Sequence, residues 1–111
     1  MLPRVWRLND KKLFETAFRR GRNIKAHGFS VFWLASTPNK HTQIGIVVSK
    51  KVAKQATKRN LYKRRILASL TVLKDILPIK GYIFVILVAP SIEKVMFGDI
   101  KKDLDSILTK F

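Results

Sequence analysis

The sequence predicts a single α+β domain, an α/β sandwich in which helices pack on a central sheet. Three observations carry this prediction. The length of 111 residues falls within the usual size of one domain. Apolar residues recur at helical spacing in three segments, and short apolar runs typical of strands lie between them. The segments do not alternate strictly, because the expected order is α, β, β, α, β, α.

A short helix is predicted first, after a basic extended arm at residues 1–7. Asn9 is the expected N-cap, and Gly21 stands where a left-handed residue commonly ends a helix. Four apolar side chains share one face of this helix: Leu13, Phe14, Ala17 and Phe18.

Two strands should follow. Residues 29–34 form an apolar, aromatic run too short for a helix, and residues 44–48 alternate apolar positions after a polar break at 36–42. We predict two antiparallel strands joined by a loop. A further early strand could occupy residues 22–27.

A long helix, a buried strand and a last helix complete the chain. The helix should span about residues 57–77, with one apolar side formed by Tyr62, Ile66, Leu70, Leu73 and Leu77. Residues 82–88 are continuously apolar, as expected of a central strand buried on both faces. Ile100, Leu104, Ile107 and Leu108 recur at helical spacing, which predicts a last, amphipathic helix.

Charge is the exceptional feature of the composition. The chain has 23 Lys and Arg against 7 Asp and Glu, a net charge of +16, and no acid between residues 16 and 74. Such a chain repels itself, so a polyanionic partner, either nucleic acid or an anionic membrane surface, is the simplest explanation. The chain has no cysteine, an apolar signal-peptide core is lacking, and no apolar run approaches the ~20 residues of a membrane helix. We therefore expect a soluble, cytoplasmic protein.

The densest basic segment is residues 49–65, SKKVAKQATKRNLYKRR. It combines the end of a strand, a loop and the first turns of the long helix. Lys and Arg side chains there can meet phosphates, and the open amides of the helix start near Thr57 add donors. A solubilising helix face is the alternative, but such faces mix both signs of charge.

This segment resembles the signature of the bacterial ribonuclease P protein family, in which a Ser-Lys-Lys strand end leads into a helix with an Arg-Asn-Arg core. Further matches cover nearly the whole chain: Arg7, Leu8, Phe14, Phe18, Gly21, the aromatic strand at 29–34, the Ile-Gly-Ile-Val-Val-Ser strand at 44–49, the apolar strand after the long helix, Asp103 and Leu104. Two positions depart from the family pattern. Leu61 replaces the second motif Arg, and Ala89 precedes Pro90 where many relatives carry Arg.

The resemblance implies a left-handed βαβ crossover through the basic helix, and two RNA-binding surfaces. The first would contact the catalytic RNA subunit through Lys54, Lys58, Arg59, Asn60, Lys63, Arg64 and Arg65. The second, a cleft between the first helix and the sheet, would receive the single-stranded 5′ leader of precursor tRNA. Its residues would be Phe14, Phe18, Phe32, Ser49, Lys50 and Lys51.

The implied function is that of an accessory protein subunit of an endoribonuclease that removes the 5′ leader from precursor tRNA. Catalysis is expected in the RNA subunit, with Mg²⁺ held mainly by RNA, and one protein bound to each RNA. We expect no catalytic or metal-binding side chain, no membrane and no small-molecule substrate. His27 and His41 fall in predicted loops, and no two carboxylates are suitably spaced for a two-metal site.

Three alternatives remain open from the sequence. A ribosomal-type RNA binder with no role in cleavage would have the same composition, and a protein nuclease would need its own metal site. Helical spacing alone favours Phe14 and Phe18 as core residues rather than leader contacts. We also hypothesise that Arg65, one turn beyond Leu61, partly supplies the missing motif charge.

Overall fold

A computed structural model describes residues 3–36, 38–78 and 80–111. Within them lie three α-helices and four strands: α1 (Lys11–Arg20), β1 (Arg22–Lys25), β2 (Phe29–Ala35), β3 (Gln43–Val47), α2 (Ala56–Val72), β4 (Tyr82–Val88) and α3 (Phe97–Leu108). Short 3-10 turns occupy Arg4–Trp6, Lys74–Ile76 and Pro90–Lys94. The predicted α+β class and element order are confirmed, and the optional early strand is present as β1.

The sheet has the strand order β1-β2-β4-β3. Strand β4 is central, as predicted, because it pairs antiparallel with β2 and parallel with β3. The chain therefore crosses from β3 through α2 to its parallel neighbour β4, which is a βαβ unit; its left-handed sense stays a prediction.

Strands β2 and β3, which we predicted as two antiparallel strands joined by a loop, are not neighbours in the sheet. Strands β2 and β3 run in opposite directions, as expected, but β4 lies between them. The continuous apolar sequence of β4 suits this central position, because both of its faces are packed into a core there.

Helices cover both faces of the sheet, and the alternation of β4 divides its side chains between two cores. The larger core holds Phe84, Ile86 and Val88 together with the apolar sides of α2 and α3. The smaller holds Ile83 and Val85 under α1. Helix α1 is the only helix on the second face within the described chain, so that face is only partly covered. None of these helices is both long and apolar enough to cross a membrane.

The N-terminal segment is more ordered than the extended arm that we predicted. Arg4–Trp6 forms a 3-10 turn, and Trp6 is only 5% exposed, with its ring 4.5 Å from that of His41. Beyond it, the Leu8 amide donates to the Ile44 carbonyl at 3.0 Å. Burial of a large aromatic ring thus fixes the segment beside β3; Met1 and Leu2 lie outside the described residues.

Both predicted helix ends need correction. Gly21 is extended (φ −71°, ψ 155°) rather than left-handed. A glycine still fits there, because a Cβ would lie 2.3 Å from the Ala17 carbonyl oxygen. Helix α2 ends at Val72 instead of Leu77, and a 3-10 turn follows. Leu77 precedes a proline, which disfavours helical backbone at that position.

The N-cap of α1 is Asp10 and not Asn9. The Asp10 side chain accepts a hydrogen bond from the Lys12 amide at 2.9 Å. Its carboxylate also lies at the positive end of the helix dipole, where a negative charge is favourable.

Asp10→Ala should therefore lower the free energy of unfolding by about 1 kcal/mol. Thermal unfolding of the two proteins under one buffer condition measures this. Asn9→Ala is the matched control and should leave the melting temperature nearly unchanged. Equal losses from both variants would contradict the cap assignment.

Candidate nucleic-acid interface

The basic loop between β3 and α2 is anchored by its apolar residues. The Val52 amide donates to the Ser49 carbonyl at 3.1 Å, which closes a turn. The side chains of Val52 and Ala53 are buried in the larger core. The three lysines of this loop, Lys50, Lys51 and Lys54, are all exposed. The fold therefore holds the backbone of the loop in place and directs its positive charges to solvent.

Arg59 ties this loop to the first turns of α2. Its Nη1 donates to the Ala53 carbonyl at 2.9 Å and to the Lys54 carbonyl at 2.8 Å. The sequence indicated Arg59 only as an RNA contact, because a motif match does not reveal which carbonyls a guanidinium reaches. The side chain has a structural role in addition to whatever RNA contact its other N–H groups make.

Arg59→Ala should free the loop and weaken RNA binding several-fold. Amide hydrogen exchange in residues 50–54 should become faster, because the two hydrogen bonds that hold their carbonyls are lost. Arg59→Lys is the matched variant, because it keeps the positive charge but lacks the planar guanidinium group. It therefore separates the effect of the charge from that of the two hydrogen bonds. If Arg59→Ala weakened RNA binding with no change in exchange, the clamp would have no role.

A cavity of about 400 Å³ opens beside the loop, lined by Lys50, Lys51, Lys54, Lys58, Val52, Ala53, Gln55 and Glu93. None of these four lysines forms an ion pair with a described residue. Gln55, the N-cap of α2, makes no side-chain cap hydrogen bond, and the positive end of the helix dipole lies here. The lining of the cavity is therefore electropositive, which favours the binding of phosphate groups.

The rest of the predicted RNA-subunit residues lie on α2. Asn60, Lys63 and Arg64 line a second groove of about 400 Å³ with Thr57 and Leu67. Arg65 lies apart from them, with its guanidinium carbon 5.9 Å from the centre of the Tyr62 ring. The Leu61 side chain is 36% exposed. A solvent-facing leucine thus interrupts the basic surface at the position of the missing motif Arg.

The three phenylalanines of the predicted leader cleft lie on the α1 face of the sheet. Phe18 and Phe32 meet edge to face with ring centres 5.0 Å apart. Phe14 packs so closely on β3 that a Cβ on Gly45 would lie 2.3 Å from its ring. Phe14 and Phe32 are half-buried at the margin of the smaller core, whereas Phe18 is 37% exposed. Core packing and an accessible aromatic edge therefore coexist here.

Strand β3 leads from the face that carries these phenylalanines to the basic loop. Val47 at the end of that strand packs on the same smaller core as Phe14 and Phe32. Ser49, Lys50 and Lys51 follow within four residues and are exposed. A single-stranded nucleic acid whose bases lay on these aromatic rings would thus have lysine side chains near it where β3 ends.

The two histidines make contacts within the fold. Asp103 Oδ2 lies 3.0 Å from His27 Nδ1 and accepts a hydrogen bond from the His27 amide at 3.0 Å. His41 Nδ1 lies 2.6 Å from the Thr42 carbonyl oxygen. Among the residues that the structure describes, no three His, Asp or Glu side chains are grouped to hold a metal ion.

The chain is similar in sequence to known proteins. A family model described as Ribonuclease P matches residues 2–111. The chain is 35% identical over 108 residues to the "Ribonuclease P protein component" of Lactobacillus johnsonii, covering 96% of this chain and 87% of that one. It is 30% identical over 107 residues to the protein of the same name from Enterococcus faecalis, with 96% and 89% covered.

Solved structures show the same fold. The RNase P protein from Thermotoga maritima superimposes with a TM-score of 0.78 at 26% identity, covering 95% of this chain and 96% of that one. The RNase P protein of Staphylococcus aureus gives a TM-score of 0.79 at 22% identity, with 95% and 94% covered.

Proposed function

Since the chain belongs to the ribonuclease P protein family, we propose that it binds a catalytic RNA subunit and the 5′ leader of precursor tRNA, and so promotes removal of the leader. The observation that carries the proposal is an exposed aromatic edge at Phe18 on the face where β3 also packs, together with an anchored loop of exposed lysines that follows β3. The proposed setting is the cytoplasm, with one protein for each RNA.

The RNA-subunit surface comprises the basic face of α2 and the adjoining loop. Its proposed contacts are Lys54, Lys58, Arg59, Asn60, Lys63, Arg64 and Arg65. All but Arg59 and Arg65 are exposed. Lys and Arg neutralise phosphates without reading sequence, which suits a surface that binds a folded RNA through its backbone.

The leader surface comprises Phe14, Phe18, Phe32, Ser49, Lys50 and Lys51. Every base has an apolar face, so stacking on aromatic rings tolerates different leader sequences, while the lysines follow the phosphates. Such tolerance is required of a subunit that serves many precursor tRNAs.

We assign the hydrolysis to the RNA subunit and its Mg²⁺. The described side chains offer no carboxylate cluster for the metal. The protein acts by binding: its +16 charge lowers the repulsion between the RNA subunit and the substrate, both polyanions, and so reduces the Mg²⁺ needed for a tight complex.

The test is cleavage of a precursor tRNA by a bacterial ribonuclease P RNA at low Mg²⁺, with and without this protein. Strong stimulation at low Mg²⁺ that declines as Mg²⁺ rises is the expected result. Tight, salt-sensitive RNA binding without stimulation would instead favour a structural RNA binder of the ribosomal type. Cleavage by the protein without any RNA subunit would assign the chemistry to the protein.

A further inference from the structure

Strand β3 forms one edge of the sheet, and the N-terminal segment covers only the first half of that edge. The Leu8 amide donates to the Ile44 carbonyl at 3.0 Å, and the chain then turns into α1 at its N-cap Asp10. Backbone groups of a strand alternate in direction, so Ile46 is the next residue whose amide and carbonyl point to this edge. The second half of the edge is therefore open.

A groove of about 340 Å³ crosses the sheet at this point. Phe14 of α1 lines it on one face of the sheet, and Leu67 of α2 lines it on the other, with the backbone of Gly45 and Ile46 between them. The absence of a side chain at Gly45 lets the Phe14 ring lie directly against the strand.

The charges that line the groove are all positive, and come from Arg7 and Lys63. Lys63 and Leu67 also line the groove on α2 that contains Asn60 and Arg64. The two grooves thus meet at Lys63. Together they form a cationic path from the aromatic cleft, around the edge of β3, to the basic face of α2.

We propose that the single-stranded leader continues beyond the aromatic cleft along this path, with a base against Phe14 and a phosphate at Lys63. The inference rests on the proposed function and reassigns Lys63 from the RNA subunit to the substrate. Single-stranded RNA fits the groove better than an extended peptide does. Strand addition needs a longer open edge than the end of β3 offers, and the lining is aromatic and cationic.

The experiment measures the affinity of the holoenzyme, ribonuclease P RNA with this protein, for precursor tRNAs whose leaders differ by one nucleotide each. Lys63→Ala should weaken binding of long-leader substrates about fivefold at ~0.1 M salt, because one single-strand phosphate contact contributes about 0.7 to the salt slope. Binding of leaderless tRNA should not change. Lys63→Arg should restore the long-leader affinity.

Arg65→Ala is the matched control, since Arg65 belongs to the proposed RNA-subunit surface but does not line the groove. Its effect should be the same at every leader length. Two results would overturn the proposal. In the first, Lys63→Ala lowers the affinity by the same factor at every leader length. In the second, it lowers the affinity for no RNA, which would favour a peptide as the occupant of the groove. If the unsubstituted protein shows no leader dependence at all, the proposed function itself fails.

Discussion

Replacing Lys50, Lys51 and Lys54 together with alanine should weaken binding of this protein to the complex of ribonuclease P RNA and precursor tRNA by roughly 100- to 500-fold at ~0.1 M salt. Each phosphate contact contributes about 0.7 to 0.9 to the slope of log affinity against log salt. Three lost contacts therefore remove between two and three powers of ten at that salt. The fold should survive, because all three side chains are exposed and the loop is anchored by Val52, Ala53 and Arg59.

The measurement is a binding titration repeated over a range of salt concentrations, in which the slope itself should fall by about 2 to 3. The matched control replaces Lys94, Lys101 and Lys102, which are also exposed and lie on the 3-10 turn Pro90–Lys94 and on α3. This control removes the same net charge. If the two triple variants lost the same affinity, overall charge rather than the loop would account for RNA binding.

Phe18→Ala should reduce leader-dependent binding of precursor tRNA by roughly 5- to 150-fold. The loss of one base-aromatic stack costs about 1–3 kcal/mol. Phe18 is 37% exposed and contacts Phe32 edge to face, so the melting temperature should change much less than the affinity.

Phe18→Leu separates stacking from burial, because leucine retains apolar contact with Phe32 but has no ring. It should lose most of the leader-dependent affinity. Val72→Ala, which truncates an apolar side chain that is 60% exposed near the end of α2, serves as a control and should bind normally. A Phe18→Ala variant with unchanged preference for leader-bearing substrates would contradict the aromatic cleft.

Sequence periodicity predicted the elements that are buried along one whole side. The apolar side of α2 from Tyr62 to Leu70 lies in the larger core as expected, and so do Ile100 and Leu104 of α3. These predictions succeed because burial requires apolar residues at a regular spacing. The spacing is three or four residues along the buried side of a helix and two residues along one face of a strand.

Features fixed by a single contact could not be predicted. Asn9 and Asp10 are both good N-caps, and only the position of the Lys12 amide distinguishes them. The apolar run of β4 predicted a central strand, but its antiparallel pairing with β2 and parallel pairing with β3 depend on contacts across the chain, which no local pattern records.

The sequence predicted which residues form the candidate site more fully than it predicted how they are arranged. The basic segment and the family resemblance indicated which side chains would face RNA. The clamp from Arg59 to the loop carbonyls and the position of Lys63 between two grooves follow from the way α2 packs beside β3. Charge patterns identify a surface, but the path across it depends on tertiary structure.

The most direct test of the central claim compares the affinity of ribonuclease P RNA for precursor tRNA and for mature tRNA, each with and without this protein. We predict that the protein raises the affinity for precursor tRNA much more than the affinity for mature tRNA, since its charge reduces repulsion for both but only the precursor carries a leader. An equal increase for both RNAs would show that the protein contributes charge alone, and would contradict the leader cleft.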